Sequence, residues 1–122
     1  MNREKYKLEF YVSPQGEYPI EEFLKTLQDR PRRKLIARFR HLEEMGPDLH
    51  RPYADILADK IRELRMSFAR LEIRVLFFIH GKCIVLTHGF IKTTQRIPAE
   101  EIDLAKRYRS NWINMFGGGE QP

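Results

Sequence analysis

Residues 69–90, ARLEIRVLFFIHGKCIVLTHGF, decide the fold. Apolar residues occupy every second position over 71–79, which is the period of a β-strand, and from Leu76 onward the intervening positions are apolar as well. A strand that is apolar on both faces is typical of the centre of a covered sheet. His80-Gly81 predicts a hairpin turn that leads into a second strand. The stretch therefore predicts the central hairpin of a buried sheet.

Strands and helices are also predicted on both sides of this hairpin. In chain order the elements are a strand in YKLEFYVS (6–13), helices in YPIEEFLKTLQDR (18–30) and PRRKLIARFRHLEEMGP (31–47), a strand in KIRELRM (60–66), the two hairpin strands, and a helix in PAEEIDLAKRYRSNWINMF (98–116). The segment 48–59 has no assignable period.

The order β-α-α-β-β-β-α predicts an α+β fold. We expect a small antiparallel sheet with helices packed on one face, namely an N-terminal helical hairpin and a C-terminal helix. A chain of 122 residues, 42% of them hydrophobic, is long enough for one core. We therefore expect a single domain over 1–116 and a flexible tail, GGGEQP, over 117–122.

Composition indicates a cytoplasmic protein with an anionic partner. The formal net charge is +5 and the pI is about 9.5, and such a field raises the local concentration of nucleic acid or acidic protein. Cys83 is the single cysteine, which suits a reducing compartment. There is no signal-peptide apolar region, and no apolar run approaches the ~20 residues of a membrane helix, so we expect no membrane association.

Several kinds of site are excluded by the residues present. The histidines, at positions 41, 50, 80 and 88, have no ligand spacing, and the lone cysteine has no partner for a metal site. The chain has neither a glycine-rich phosphate loop nor a Gly-x-Ser-x-Gly elbow. We therefore expect no metal and no cofactor.

What remains is a set of cations at or near the predicted sheet. Its members are Arg62, Arg65, Arg70, Arg74, Lys92 and Arg96. Adjacent strands lie about 5 Å apart, so cations on one face repel one another unless an anion lies between them. A bound phosphate is one such anion. The alternative is pairing of each cation with Glu63, Glu72 or another local carboxylate on a solvated face, which contributes ~0–1 kcal/mol per pair.

Several ordered motifs resemble a known family. They are ELR at 63–65, Arg74 in an apolar strand, HGFIKT at 88–93 and PAEEI at 98–102. With them, residues 61–108 resemble the C-terminal half of the RelE/HigB-like toxins, in the branch often found in phages. PIEEFLKTL (19–27) and HLEEMGP (41–47) resemble the family's helical hairpin.

The resemblance implies an mRNA interferase, an endoribonuclease that cuts messenger RNA on the ribosome. It also implies a cognate helix-turn-helix antitoxin that holds the toxin inactive. The cations of the predicted sheet are compatible with this activity. Attack of the ribose 2′-hydroxyl on the adjacent phosphate needs no metal if cations stabilise the added negative charge.

Four residues are the candidates for catalysis. By resemblance, Arg65 and Arg74 are assigned to phosphate binding and transition-state stabilisation, for which a planar, permanently charged guanidinium is suited. Lys92 is either a second stabiliser or the proton donor to the leaving 5′-oxygen. His88 is a candidate general base or else a packed core residue, and the hairpin register decides between the two: opposite Ile73 it shares the apolar face, and opposite Arg74 it joins the arginines.

A second basic cluster lies at the start of the second predicted helix. Arg32, Arg33 and Lys34 are placed where the helix dipole disfavours cations by a few tenths of a kcal/mol each. RNA phosphates would offset that cost, and the alternative is a solvated helix start. These three residues and the sheet cations Arg62, Arg70 and Arg96 are together the candidate RNA-binding residues. The rival functions are a non-catalytic basic RNA-binding or regulatory module derived from the toxin fold, and a plain interaction protein.

Overall fold

The computed structural model describes residues 5–117, which contain five β-strands and three α-helices. In chain order they are β1 (Lys7–Phe10), α1 (Pro19–Thr26), α2 (Asp29–Met45), β2 (Ala54–Ile56), β3 (Arg62–Phe68), β4 (Leu71–His80), β5 (Cys83–Ile91) and α3 (Ala99–Trp112). Two short 3-10 turns, Gly46–Asp48 and Ala58–Lys60, and a π-helical turn, Ile113–Gly117, accompany them. None of the helices within 5–117 is long and apolar enough to cross a membrane.

The expected tail is only partly covered by the described residues. Gly117 belongs to the π-helical turn and is buried, and residues 118–122 lie outside the described part of the chain. The division into a domain over 1–116 and a tail stays a prediction.

The strands form one mixed sheet in the order β1-β5-β4-β3-β2. Neighbours from β2 to β5 are antiparallel, but β1 is parallel to β5, with Lys7 opposite Cys83. The predicted α+β class is therefore right, whereas the predicted purely antiparallel sheet of four strands is wrong. The strand that the sequence did not predict, β2, has only three residues, which are too few to show an alternating pattern. The direction of β1 is set by a distant partner and has no local signal.

Helices cover both faces of the sheet. On the first face, Ile20 of α1 and Leu35 of α2 pack in one core with Val75. On the second face, Trp112 of α3 contacts Phe78, with ring centroids 5.7 Å apart. The expectation of helices on one face is wrong, because the C-terminal half of β4 is apolar on both sides and each side needs cover.

Local signals explain where α1 and α2 begin and end. Pro19 is the first residue of α1, and two glutamates in its first turn complement the helix dipole. α2 begins at Asp29, slightly before the predicted start at Pro31, and ends before Gly46, whose φ of 59° suits glycine. Both helices pack on the first face, and their arrangement as a hairpin stays a prediction.

The β4–β5 hairpin turns at Gly81-Lys82, one residue later than predicted. His80 pairs with Cys83, so the turn has two residues. Gly81 has a φ of 60°, the positive value that the first position of a two-residue hairpin turn requires.

A bulge further along this hairpin decides where His88 points. Phe77 pairs with Leu86, but Leu76 pairs with His88, so Thr87 is an extra residue on β5. Without the bulge, His88 would follow Leu86 onto the first face. With it, His88 lies on the second face, and neither register weighed from the sequence occurs.

Candidate functional site

Arg65 and Arg74 lie directly opposite each other on β3 and β4. Both are on the second face together with Glu63, because residues two apart on a strand point to the same side, while Leu64 packs in the core of the first face. Like charges directly opposite each other on adjacent strands destabilise a sheet. The pair therefore needs a counter-ion.

Glu63 supplies that counter-ion. Its Oε2 lies 2.9 Å from Nη1 of Arg65, and its Oε1 lies 3.3 Å from Nε of Arg74. The side chains of Glu63 and Arg74 are each 4% exposed, and that of Arg65 is 25% exposed. The internal pairing weighed from the sequence therefore describes both arginines, but the carboxylate is buried and only Arg65 extends to solvent.

Arg74 is held on two further sides. Its Nη1 donates to the carbonyl oxygen of Ile73 at 3.0 Å and to Oε1 of Glu72 at 3.3 Å. A hydrogen bond from Ser67, and secondarily the one from Arg74, lower the pKa of Glu72 below its usual value. The alternative of a cation on a solvated face does not describe Arg74, because the side chain turns inward to Glu63 and is buried.

A cleft that we call the first cleft brings Arg65 and Lys92 together. It has a volume of about 450 Å³, and its charged lining consists of Arg51, Asp55, Glu63, Arg65, Lys92 and Arg96. The backbone N–H of Lys92 donates to the carbonyl oxygen of Glu72 at 2.7 Å, which fixes the end of β5 against β4. Since cations outnumber carboxylates in this lining, the cleft is suited to an anionic ligand.

A second cleft also includes Arg65 in its lining. It has a volume of about 280 Å³, and its lining includes Lys34, Arg38, Tyr53, Arg65, Glu72 and Arg74. Lys34 Nζ donates to the carbonyl oxygen of Ser67 at 2.6 Å, and Arg38 Nη1 donates to that of Arg65 at 2.5 Å. Arg65 is therefore the junction of the two clefts.

His88 is on the second face but lines neither cleft. Its Nε2 lies 2.9 Å from Oε1 of Glu101, its Nδ1 lies 3.1 Å from Oγ1 of Thr87, and the residue is 7% exposed. Burial lowers the pKa of His88 below its usual value, and the hydrogen bond to Glu101 offsets only part of that effect. The imidazole thus connects β5 with the start of α3, and both of its nitrogens are engaged.

The residues grouped as RNA-binding do not all lie near the clefts. Arg96 lines the first cleft. Arg62 shares the first face with Leu64 and contacts the carbonyl oxygen of Pro47, so it points away from Arg65. Arg70 is exposed in the turn between β3 and β4 and lines neither cleft.

The basic start of α2 is largely engaged in contacts within the chain. Arg32 Nη1 donates to the carbonyl oxygen of Leu27 at 3.0 Å, just past the end of α1. Arg33 lies 3.1 Å from Oδ2 of Asp29, and Lys34 reaches β3 as described above. These contacts stabilise the three cations and so offset their unfavourable interaction with the helix dipole.

Sequence reasoning missed several residues that line the clefts. Arg51, Tyr53 and Asp55 belong to the segment 48–59, whose residues show no apolar period from which an element could be predicted. Arg38 was not singled out, although its helical spacing from Lys34 places both on the side of α2 that faces β3. The signal that could have found Arg51 and Tyr53 is a cation and an aromatic residue on either side of Pro52, close in sequence to a strand that carries candidate arginines.

The fold and the clefts define a class: a small α+β protein with a cationic cleft beside its sheet, suited to a phosphate-bearing ligand. Residues 22–110 match the family described as Phage derived protein Gp49-like (DUF891). The match covers most of the chain, and the protein belongs to that family, a toxin-like family related to the RelE/HigB type II toxins. No curated protein matches the chain.

Proposed function

We propose that the protein is the toxin of a type II toxin-antitoxin system, in the HigB-like branch, and that it is an endoribonuclease acting on messenger RNA. Its family supports the toxin class. The observation that carries the catalytic part is the first cleft, where Arg65, Lys92 and Arg96 line one concave surface. Such a lining suits an RNA backbone, and a guanidinium can contact two phosphate oxygens at once.

The reaction is an internal transesterification without metal. The ribose 2′-oxygen attacks the adjacent phosphorus, the O2′–P bond forms and the P–O5′ bond breaks, leaving a 2′,3′-cyclic phosphate and a 5′-hydroxyl. The 2′-proton passes to water in the open cleft, and Lys92 protonates the leaving 5′-oxygen. Because the phosphorane carries more negative charge than the bound phosphate, fixed cations stabilise it preferentially.

The four candidate residues take different parts in this proposal. Arg65 and Lys92 contact the phosphate, since both line the first cleft. Arg74 acts through Glu63, which it helps to hold beside Arg65. His88 has a positioning role, because its buried ring has both nitrogens bonded and secures the start of α3 through Glu101.

The partners in the proposal are messenger RNA on the ribosome and a cognate helix-turn-helix antitoxin, in the cytoplasm. A net charge of +5 favours binding to RNA of any sequence. An acidic or amphipathic segment of the antitoxin, covering the first cleft or docking on α1 and α2, would block that binding.

One observation favours a second candidate, a non-catalytic RNA-binding or regulatory module. Arg65 and Arg74 are both paired with Glu63, and a paired cation stabilises added phosphate charge less than a free one does. In that case the cleft would bind RNA without cutting it.

Lys92→Gln tests the proposed function against this alternative. The matched control is Lys25→Gln, which removes the same charge from an exposed site on α1. Loss of a fixed transition-state charge should lower cleavage by about 10²-fold or more, and the control should cleave like the wild type. The measurements are single-turnover cleavage of an RNA, alone and on programmed ribosomes, with analysis of the product ends and, for the RNA alone, a parallel series with chelator.

The outcomes separate the two candidates. Cyclic-phosphate ends, a specific loss in Lys92→Gln and no effect of chelator support the endoribonuclease. RNA binding without cleavage in both settings supports the non-catalytic module. Equal cleavage by both lysine variants would place the chemistry outside the first cleft.

A further inference from the structure

We propose that the second cleft is a nucleobase subsite in which Tyr53 stacks on the base of a nucleotide next to the phosphate at Arg65. The inference rests on the proposed function, because it takes single-stranded RNA as the ligand of the first cleft. It assigns a role in RNA binding to Tyr53, a residue that does not line the first cleft.

Tyr53 presents a supported aromatic ring. The guanidinium carbon of Arg38 lies 4.8 Å from the ring centroid, and the His41 ring stands at 72° to it with a centroid distance of 5.1 Å. The residue is nonetheless 39% exposed and lines the second cleft. Bases of single-stranded nucleic acid stack on exposed aromatic side chains, and arginine adds a cation–π contribution to such sites.

This ring is fixed relative to Arg65 by hydrogen bonds on both sides of that residue. The backbone N–H of Arg65 donates to the carbonyl oxygen of Tyr53 at 2.7 Å. The carbonyl oxygen of Arg65 accepts a hydrogen bond from Arg38, the residue that lies against the Tyr53 ring. The stacking surface and the phosphate-binding arginine are therefore held as one unit, as a preorganised subsite requires.

The second cleft is cationic as well, but its cations are held in place by contacts within the chain. Lys34 and Arg38 donate to backbone carbonyl oxygens, and Arg74 pairs with Glu63 and Glu72. What this cleft offers beyond charge is the ring of Tyr53, on which a base can stack while the surrounding cations attract the RNA backbone. Because Arg65 lines both clefts, a phosphate bound to it has a neighbouring nucleotide within reach of Tyr53.

The test measures binding separately from cleavage. Short 2′-fluoro RNA strands lack the attacking hydroxyl, and a set of strands with one abasic position each locates the base that matters. The variants are Tyr53→Leu, which keeps apolar volume without an aromatic face, and Tyr53→Phe, which keeps the face. Tyr18→Leu is the control, because Tyr18 is 40% exposed but lines a different groove with Trp112 and Phe116.

Fluorescence anisotropy should give a defined pattern of affinities. One abasic strand should bind the wild type roughly 5- to 150-fold more weakly than the intact strand, the range for loss of one stacked base. Tyr53→Leu should bind the intact strand with the same deficit and lose nothing further on that abasic strand. Tyr53→Phe and Tyr18→Leu should bind like the wild type, and urea midpoints should show that all three variants are folded.

The failures of the two proposals are distinguishable. If the wild type neither binds a free strand nor cleaves RNA on programmed ribosomes, the proposed function fails. If it cleaves RNA on ribosomes but binds no free strand, the nucleobase subsite alone is wrong. If it binds RNA but Tyr53→Leu matches the wild type on every strand, or if the losses from Tyr53→Leu and from base removal simply add, the nucleobase subsite is wrong while the phosphate-binding first cleft stands.

Discussion

Glu63 should be the carboxylate on which the stability of the second face depends most. It is buried, and it contacts Arg65 at 2.9 Å and Arg74 at 3.3 Å. At an effective dielectric constant of about 20, each contact has a Coulomb energy of about 5 kcal/mol before desolvation is subtracted. Glu63→Gln keeps the shape, removes both attractions and leaves two cross-strand arginines without their shared counter-ion. We expect a loss of about 3–5 kcal/mol, the range for breaking a buried pair from one side.

The measurement is urea unfolding followed by the fluorescence of Trp112, the only tryptophan, which is 5% exposed. Glu72→Gln is the matched control. Glu72 also contacts Arg74 at 3.3 Å, but its side chain is 47% exposed, so its removal should cost less than about 1 kcal/mol.

A double variant tests the same ion pair from both sides. Glu63→Gln with Arg74→Met removes both buried charges and should recover part of the loss, because Arg74 is then no longer a buried charge without its counter-ion. Losses below about 1 kcal/mol for both single glutamate variants, within the usual range for exposed pairs, would refute the argument from burial.

Two other close contacts, of His88 with Glu101 and of Gly89 with Phe23, give measurable expectations. Burial lowers the pKa of folded His88 while the unfolded chain keeps the usual value near 6.5, so its contribution to stability is complete above about pH 6.5 and is lost as the pH falls below that. The urea midpoint should therefore drop more between pH 7.5 and pH 5.5 in the wild type than in His88→Gln, and equal drops would exclude His88 as the cause. Gly89→Ala should cost about 1–3 kcal/mol by overpacking, because the added Cβ would lie 2.5 Å from Cδ2 of Phe23. Phe23→Leu in the same chain should restore part of that stability, and simple addition of the two losses would argue against the contact.

The sequence predicted the elements that have a period of their own. The alternation in β4, the helical spacing in α1, α2 and α3 and the glycine of the hairpin turn are local signals, and each element lies within a few residues of its predicted range. The motifs also indicated Arg65 and Lys92 as residues of one site, and the two residues, on β3 and just past β5, line one cleft.

The features that the sequence could not predict depend on distant partners or on a break in period. The bulge at Thr87 shifts every later residue of β5 to the other face, and periodicity assumes that no such shift occurs. The burial of Arg74 could not be predicted, because only the folded chain encloses its side chain together with the carboxylate of Glu63. The lining contributed by Arg51 and Tyr53 comes from irregular chain, which has no pattern to detect.

The parallel pairing of β1 with β5 also constrains the order of events during translation. Lys7 finds its partner only when Cys83 has been synthesised, and at about 5–20 residues per second that takes several seconds. Until then the edge of β1 has no strand to pair with, and Lys92, at the wall of the first cleft, is not yet made. The nascent chain therefore has no complete first cleft until the lining residues from Lys92 to Ile102 have been synthesised, well after the helices of the first face.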